Sequence, residues 1–253
     1  MKPGEGVPLA RALSKLGVAS RAEATRLIEA GRVTVSGRVV TDARRLVHPE
    51  RTPLTLDGAS IARAARIVIA LHKPRGVVTT RSDPEGRPTV YELIREAGTH
   101  LVPVGRLDLA STGVLLFTND TRLAHWFTDP ATQLVRVYLV TVRGEFGDET
   151  AHQIERGISV DSERLSARSV TVRKRSTRET HLVVELVEGK NREIRRLMKA
   201  VGHEVTRLRR VTFGGLELGD LPPGRWRFIP ESELKRLWPT APRARGESST
   251  SPR

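Results

Sequence analysis

Three short stretches of this 253-residue chain carry residue types at spacings that could do chemistry. The first, "GRLDLASTGVLLFTND" at residues 105–120, sets Asp108 between an Arg-Leu pair and a small-polar turn, directly before the apolar run 114–117. A lone carboxylate beside Arg106, next to a segment that reads as buried, is placed to be a turn residue or a reagent. The second, "LVRVYLVTV", has the period of a strand, so Arg136 and Tyr138 share one face. The third, "EGKNREIRRLMKAVG", reads as a helix with Arg192, Arg195, Arg196 and Lys199 on one stripe at i, i+3, i+4 and i+7. Ile194, Leu197, Met198 and Val201 repeat that spacing on the neighbouring stripe, giving a packed face and a cationic one. Residues 190–210 hold eight Lys or Arg against two acids, Glu193 and Glu204.

Each stretch also has an ordinary structural explanation. Asp before a Ser/Thr/Gly-rich segment is commonly a cap or turn residue. A strand tyrosine usually packs in a core with its hydroxyl on a partner. A basic helix stripe alone is usually a solvated face. Taken singly, these explanations prevail.

The elements that must position these residues are strands with loops. "RIVIAL", "GVVTT", "VLLFT", "LVRVYLVTV", "SVTVRK" and "HLVVELV" are rich in Val and Leu and read as strands; residues 90–96 and 191–201 read as helices. Strand runs with interspersed helices and no regular βαβ alternation predict an α+β fold with a largely antiparallel mixed sheet over residues 67–238. No repeat is present, and "GGLELG" opens no helix, so no phosphate-binding glycine loop is read.

A small basic module precedes it. Leu9, Leu13 and Leu16 recur at helical spacing and Gly17 ends that helix. "SRAE" gives a capping box, with Ser20 as N-cap and Glu23 three residues on. Leu27 and Ile28 supply the apolar face of the second helix, and Gly31 is its C-cap glycine. "RVTVSGRVV" then predicts a hairpin turning at Ser36-Gly37. This helix-helix-hairpin unit, residues 7–60, carries Arg21, Arg26, Arg32, Arg38, Arg44 and Arg45, a density that points to phosphate contact. Residues 61–66 read as a linker. The Pro/Ser/Arg-rich segment 239–253 is expected to be a disordered basic tail.

The whole composition agrees with a polyanionic partner. Formal net charge is +14, with 43 Lys and Arg against 29 Asp and Glu. Each phosphate that such cations neutralise releases condensed counterions, which favours nucleic acid. No apolar run approaches the roughly 20 residues that span a bilayer, and "MKPGEGVPLARALSK" has no apolar signal region, so a soluble cytoplasmic protein without membrane contact is expected. With no cysteine, thiolate metal sites, disulfides and a cysteine nucleophile are excluded.

The wording and order of the motifs carry the reading further. "LARALSKLGVASRAEATRLIEAGRVTVSGRVV" resembles the αL-motif RNA-binding module named after a small-subunit ribosomal protein. "HKPRGVVTTRSD", "RPTVYEL", "GRLDLASTGVLLFTND", "LAHWFTDP", "LVRVYLVTV", "EGKNREIRRLM" and "LGDLPPGRWR" are similar, in that order, to ribosomal pseudouridine synthases of the RsuA type. The resemblance spans residues 7–238. It implies isomerisation of one uridine in ribosomal RNA, with the large subunit slightly favoured, and calls for no cofactor or metal. By resemblance, Asp108 is the carboxylate that attacks the sugar or the ring, or stabilises charge at the sugar. Tyr138 is the platform for the flipped uracil, and Arg195 is the basic partner of Asp108, with Arg192 as the alternative. Arg106, Arg136, Lys190, Arg192, Arg196 and Lys199 are then RNA contacts, joined by Arg21, Arg26 and Arg32 of the small module. The family often has Lys in place of Arg136 and a basic residue in place of Trp126. Monomer is the default state. The competing readings are a non-catalytic RNA-binding assembly factor on the same scaffold and a metal-dependent nuclease. The nuclease would need clustered carboxylates or histidines, and the seven His show no ligand spacing.

Overall fold

The computed structural model describes residues 6–49, 51–61, 65–98 and 100–244. The chain forms two compact units, one of residues up to 67 with 97–102 and 118–121, the other of the remainder. Residues 62–64 of the expected linker and 245–253 of the expected disordered tail lie outside the described residues. The first part of that tail is placed: Ala241 N–H donates to the Trp238 carbonyl at 3.0 Å, and the Arg243 carbonyl accepts from Arg122.

In the first unit the helices are Leu9–Lys15 and Arg21–Glu29. Ser20 Oγ accepts the Glu23 N–H at 3.2 Å, satisfying one of the unpaired donors of the second helix. Strands Val33–Val35 and Arg38–Val39 pair across Ser36 (φ 50°) and Gly37 (φ 79°), the left-handed pair that a tight hairpin requires. The unit exceeds two helices and a hairpin. Leu54–Leu56 and Ala59–Ser60 extend the hairpin to four strands, and Val7–Pro8 pairs with Leu46–Val47. Its core is small and aliphatic, with Leu9, Leu13, Ile28 and Val33 fully buried.

The second unit is built on a nine-stranded mixed, mostly antiparallel sheet. Its main path runs Ser169–Arg175, Glu179–Leu186, Arg136–Arg143, Val205–Phe213, Thr112–Thr118, Val68–Lys73, Trp226–Phe228. Val205–Phe213 runs antiparallel to Arg136–Arg143 and parallel to Thr112–Thr118. The period-two patterns explain why these segments are strands. In Glu179–Leu186, Thr180, Leu182, Val184 and Leu186 are buried while the intervening residues are half-exposed, so a one-residue slip would invert the core. Helix Asp148–Arg156 packs on the edge strand Ser169–Arg175, and helix Glu193–Ala200 on Val205–Phe213. A second cluster on the sheet centres on Phe127, whose ring meets Phe213 at 5.8 Å and Trp238 at 4.6 Å, both edge-on.

Two local expectations change. "GVVTT" makes only an isolated bridge, Val78 with Thr89, because its polar groups serve the neighbouring loop: Gly76 N–H donates to the Leu109 carbonyl and Thr79 Oγ1–H to the Leu107 carbonyl. Arg192 is not on the basic helix stripe. It takes a left-handed conformation (φ 47°, ψ 32°) as N-cap, and the helix begins at Glu193.

Candidate active site

Asp108 sits in the loop 104–111 that leads into the buried strand Thr112–Thr118. Lys73 fixes this loop from below. Its side chain is 0% exposed, and its ammonium donates to three carbonyls, of Pro74 (3.0 Å), Asp108 (3.0 Å) and Ser111 (2.9 Å). Burial pulls the Lys73 pKa down to about 8, with the Asp108 charge opposing. The Ser111 N–H closes the turn onto the Asp108 carbonyl at 3.0 Å. With its carbonyl held by both Lys73 and the Ser111 N–H, Asp108 keeps its side chain 33% exposed.

Its nearest charge is Arg195, whose Nε lies 4.0 Å from Asp108 Oδ2. Arg195 is held by an NH1 bond to the Val205 carbonyl at 3.0 Å, which ties the helix to the start of the adjoining strand. Burial lowers the Arg195 pKa, as do neighbouring Arg192 and Arg75, while Asp108 opposes. A guanidinium remains charged through shifts of this kind, so a fixed cation faces the carboxylate at every working pH.

Asp108 and Arg195 line a cavity of about 140 Å³ together with Arg106, Ser111, Arg136, Tyr138, Lys190, Arg192, Glu193, Arg210 and Phe213. A cavity of roughly 150 Å³ takes one six-membered ring, so this one has the size for a single pyrimidine. Tyr138 is buried in its wall, paired across the sheet with Arg210. Glu193, the first residue of the helix, is buried there too. Its Oε2 accepts the Lys190 N–H at 3.1 Å, and burial raises its pKa to about 7, with Glu188 alongside adding to the effect.

The other expected RNA contacts separate into two kinds. Arg106, Arg192 and Lys199 are exposed, the first two at the cavity. Lys190 is held between Glu188 (2.8 Å) and Glu163 (3.7 Å). Arg196 spends its charge on Glu163 (2.8 Å) and Asp161 (3.7 Å), away from the cavity lining. Arg136 is set apart by burial. Its guanidinium donates to the carbonyls of Leu134 (3.1 Å), Val187 (2.9 Å) and Phe127 (3.2 Å), over the Phe213 ring at 5.1 Å. With three donors on backbone carbonyls, it braces the wall of the cavity it lines. Trp126 is half-buried, its ring edge-on to Phe127 at 5.4 Å. In the small unit, Arg21 and Arg26 are exposed, and Arg32 forms a bidentate pair with Asp57 through 2.9 and 2.5 Å bonds.

Lys73, Ser111, Glu193 and Arg210 did not emerge from the sequence as site residues. The one available signal for Lys73 was its place at the end of an otherwise apolar strand, "VIALHK".

Known proteins match both units. The family described as RNA pseudouridylate synthase matches residues 67–200, and the S4 domain family matches residues 7–52. An uncharacterized RNA pseudouridine synthase of Aquifex aeolicus is 35% identical over 227 residues, covering 89% of this chain and 91% of its own. Ribosomal large subunit pseudouridine synthase B of Yersinia pestis is 38% identical over 228 residues, covering 87% and 72%. A crystal structure of a pseudouridylate synthase superposes with a TM-score of 0.62 over 91% of this chain and 99% of that one, at 24% identity, a likeness of fold.

Proposed function

This chain belongs to the RNA pseudouridylate synthase family, and on that footing we propose that it isomerises a specific uridine of large-subunit ribosomal RNA to pseudouridine. The observation that carries the reading is the Asp108 carboxylate facing the Arg195 guanidinium at 4.0 Å, on a cavity the size of one pyrimidine ring.

The reaction breaks the bond from ribose C1′ to uracil N1 and makes one from C1′ to C5, with the C5 proton lost and N1 gaining one. Asp108 supplies the carboxylate, to C1′ or to the ring, and the Arg195 guanidinium sets a fixed positive charge opposite it. Tyr138 gives the detached uracil a face to lie on. Stacking is worth about 1–3 kcal/mol per base and is indifferent to rotation in the ring plane, which the turn from N1 to C5 requires. The target nucleotide must leave its stack to bring its ribose and base to Asp108. Arg106 and Arg192 act as phosphate contacts around the mouth, and Lys199 as one further along the helix, off the cavity.

The S4-matched segment is the second RNA contact. We assign the RNA-binding module to residues 7–60, of which 7–52 match the S4 family, with 61–66 as linker and 67–238 as the catalytic domain. Arg21 and Arg26 are among its exposed cations, with Arg38, Arg44 and Arg45. We take the chain to act as a monomer. Among the described residues no helix is long and apolar enough to cross a membrane, and the proposed ribosomal substrate supports a cytoplasmic location. The test is a pseudouridine map of ribosomal RNA from cells lacking the gene, with and without the wild-type copy. One position restored by the gene supports the assignment and identifies the uridine. A map unchanged by the gene, with no product from purified protein on unmodified ribosomal RNA, overturns it and leaves a binding factor.

A further inference from the structure

Three residues of the cavity wall carry buried polar atoms without a hydrogen-bond partner among the described residues: Ser111 Oγ, Glu193 Oε1 and Arg210 NH2. The residues are 1%, 3% and 3% exposed. Folded proteins rarely leave such groups unpaired, and several around one cavity point to a ligand that completes them.

The fold brings the three to one place. Arg210 pairs across the sheet with Tyr138, beside the ring assigned to the base. Its Nε donates to the Val114 carbonyl at 2.8 Å and its guanidinium lies 5.3 Å over Phe213, so it is anchored on one side while NH2 stays unused. The strand after Ser111 is pressed onto the backbone of Arg210: a Cβ on Gly113 (φ 114°) would fall 2.1 Å from the Arg210 carbonyl oxygen. Only glycine allows that approach. Glu193 uses Oε2 on the Lys190 N–H and keeps Oε1 without a donor.

Chemically the set is two donors and one acceptor: the Arg210 N–H, the Ser111 O–H and the Glu193 carboxylate oxygen. The pairing edge of uracil is the complement, two carbonyl acceptors with the N3–H donor between them. Cytosine replaces one carbonyl with an amino group and N3–H with a lone pair, which sets donor against donor and lone pair against carboxylate. We propose that Ser111, Glu193 and Arg210 read the pairing edge of the target uracil as the nucleotide binds, before the ring is detached and turned, and reject cytosine, a role that rests on the synthase reading above. The raised Glu193 pKa agrees, since a carboxylate lacking a donor is poised to gain from one.

Ser111→Ala is the sharpest test. Because Ser111 Oγ bonds nothing in the free protein, its removal takes nothing from the fold, and the melting temperature is expected to stay level or rise. At the mapped uridine, kcat/KM is expected to fall at least about tenfold, because a site built to hydrogen-bond its substrate suffers when a pair is lost. Glu193→Gln keeps an oxygen for the Lys190 N–H and turns an amide N–H toward the base. It is expected to bring the affinities for the target RNA and for the same RNA with cytidine at that position at least about tenfold closer. An S111A protein with full kcat/KM, or an E193Q protein with the wild-type uridine-to-cytidine ratio, overturns the proposal. If the synthase reading itself failed, thermal shift of the full chain with free uracil against free cytosine would still test the edge. Preferential stabilisation by uracil, lost in S111A, supports it, and equal stabilisation by both bases overturns it.

Discussion

Lys73 is the residue on which the geometry of Asp108 depends most. Lys73→Met leaves the carbonyls of Pro74, Asp108 and Ser111 without the donor of a fully buried side chain. An unpaired buried group costs about 1–3 kcal/mol. Part of that loss is offset, because the wild-type protein holds an ammonium where burial has lowered its pKa from 10.5 to about 8, a strain of about 3 kcal/mol. The net expectation is a loss of about 3 kcal/mol, which lowers the melting temperature by about 6–12 °C in a domain of this size. Freed from its anchor, the Asp108 loop shifts, and misplacement by an ångström costs about 100-fold in rate. The sign of the pH effect is opposite for fold and for turnover. The folded chain binds fewer protons at Lys73 than the unfolded chain between about pH 8 and 10.5, so its contribution to stability grows as pH rises through that window. Activity falls over the same range, since the neutral amine grips the loop with one donor fewer. Calorimetry and single-turnover pseudouridine formation at pH 7 and 9 measure both. A Lys73→Met protein with wild-type melting and a rate within threefold would refute the reasoning.

Arg195→Gln is expected to lower kcat by about 100-fold or more, the scale of a lost charge-stabilising group. Arg195→Lys keeps a charge opposite Asp108 but gives up the planar fork that also holds Val205, and is expected to lie between. Arg136→Gln should lower the melting temperature by stripping donors from three carbonyls, yet leave the salt dependence of RNA binding unchanged. Arg106→Gln should do the reverse, with the salt slope falling by about one and melting unaffected. Glu193 keeps its proton to about pH 7 when folded but only to about 4.5 when unfolded, so the folded chain binds more protons in between and loses stability as pH rises across that window. Glu193→Gln is expected to remove that slope in urea melts at pH 5 and 7.5.

Much of this was legible in the residues themselves. The Ser20 cap, the Ser36-Gly37 turn and the valine-rich strands follow from local chemistry, which is why they could be read without partners. Asp108 stood out because a charge directly ahead of a buried strand is conspicuous. What escaped was set by partners distant in sequence. The burial of Arg136 does not show until Phe127, Leu134 and Val187 turn their carbonyls toward it. Lys73 is a basic residue like many others until Asp108 and Ser111 close over it. Val205–Phe213 reads as a run of charge, since Arg207 and Arg209 face outward while Arg210 faces in, a strand alternation masked by one residue type on both faces. Arg192 failed as a helix residue for a local reason: the chain turns through a left-handed conformation there, which "GKNRE" does not announce.

The most direct test of the central claim is a pseudouridine map of ribosomal RNA from cells lacking the gene and complemented with Asp108→Asn. That substitution keeps the side-chain shape and the backbone bonds of the loop while removing the carboxylate charge. The account predicts that the position restored by the wild-type gene stays uridine, with the variant folded and still binding ribosomal RNA. Pseudouridine at that position in the Asp108→Asn cells would contradict it.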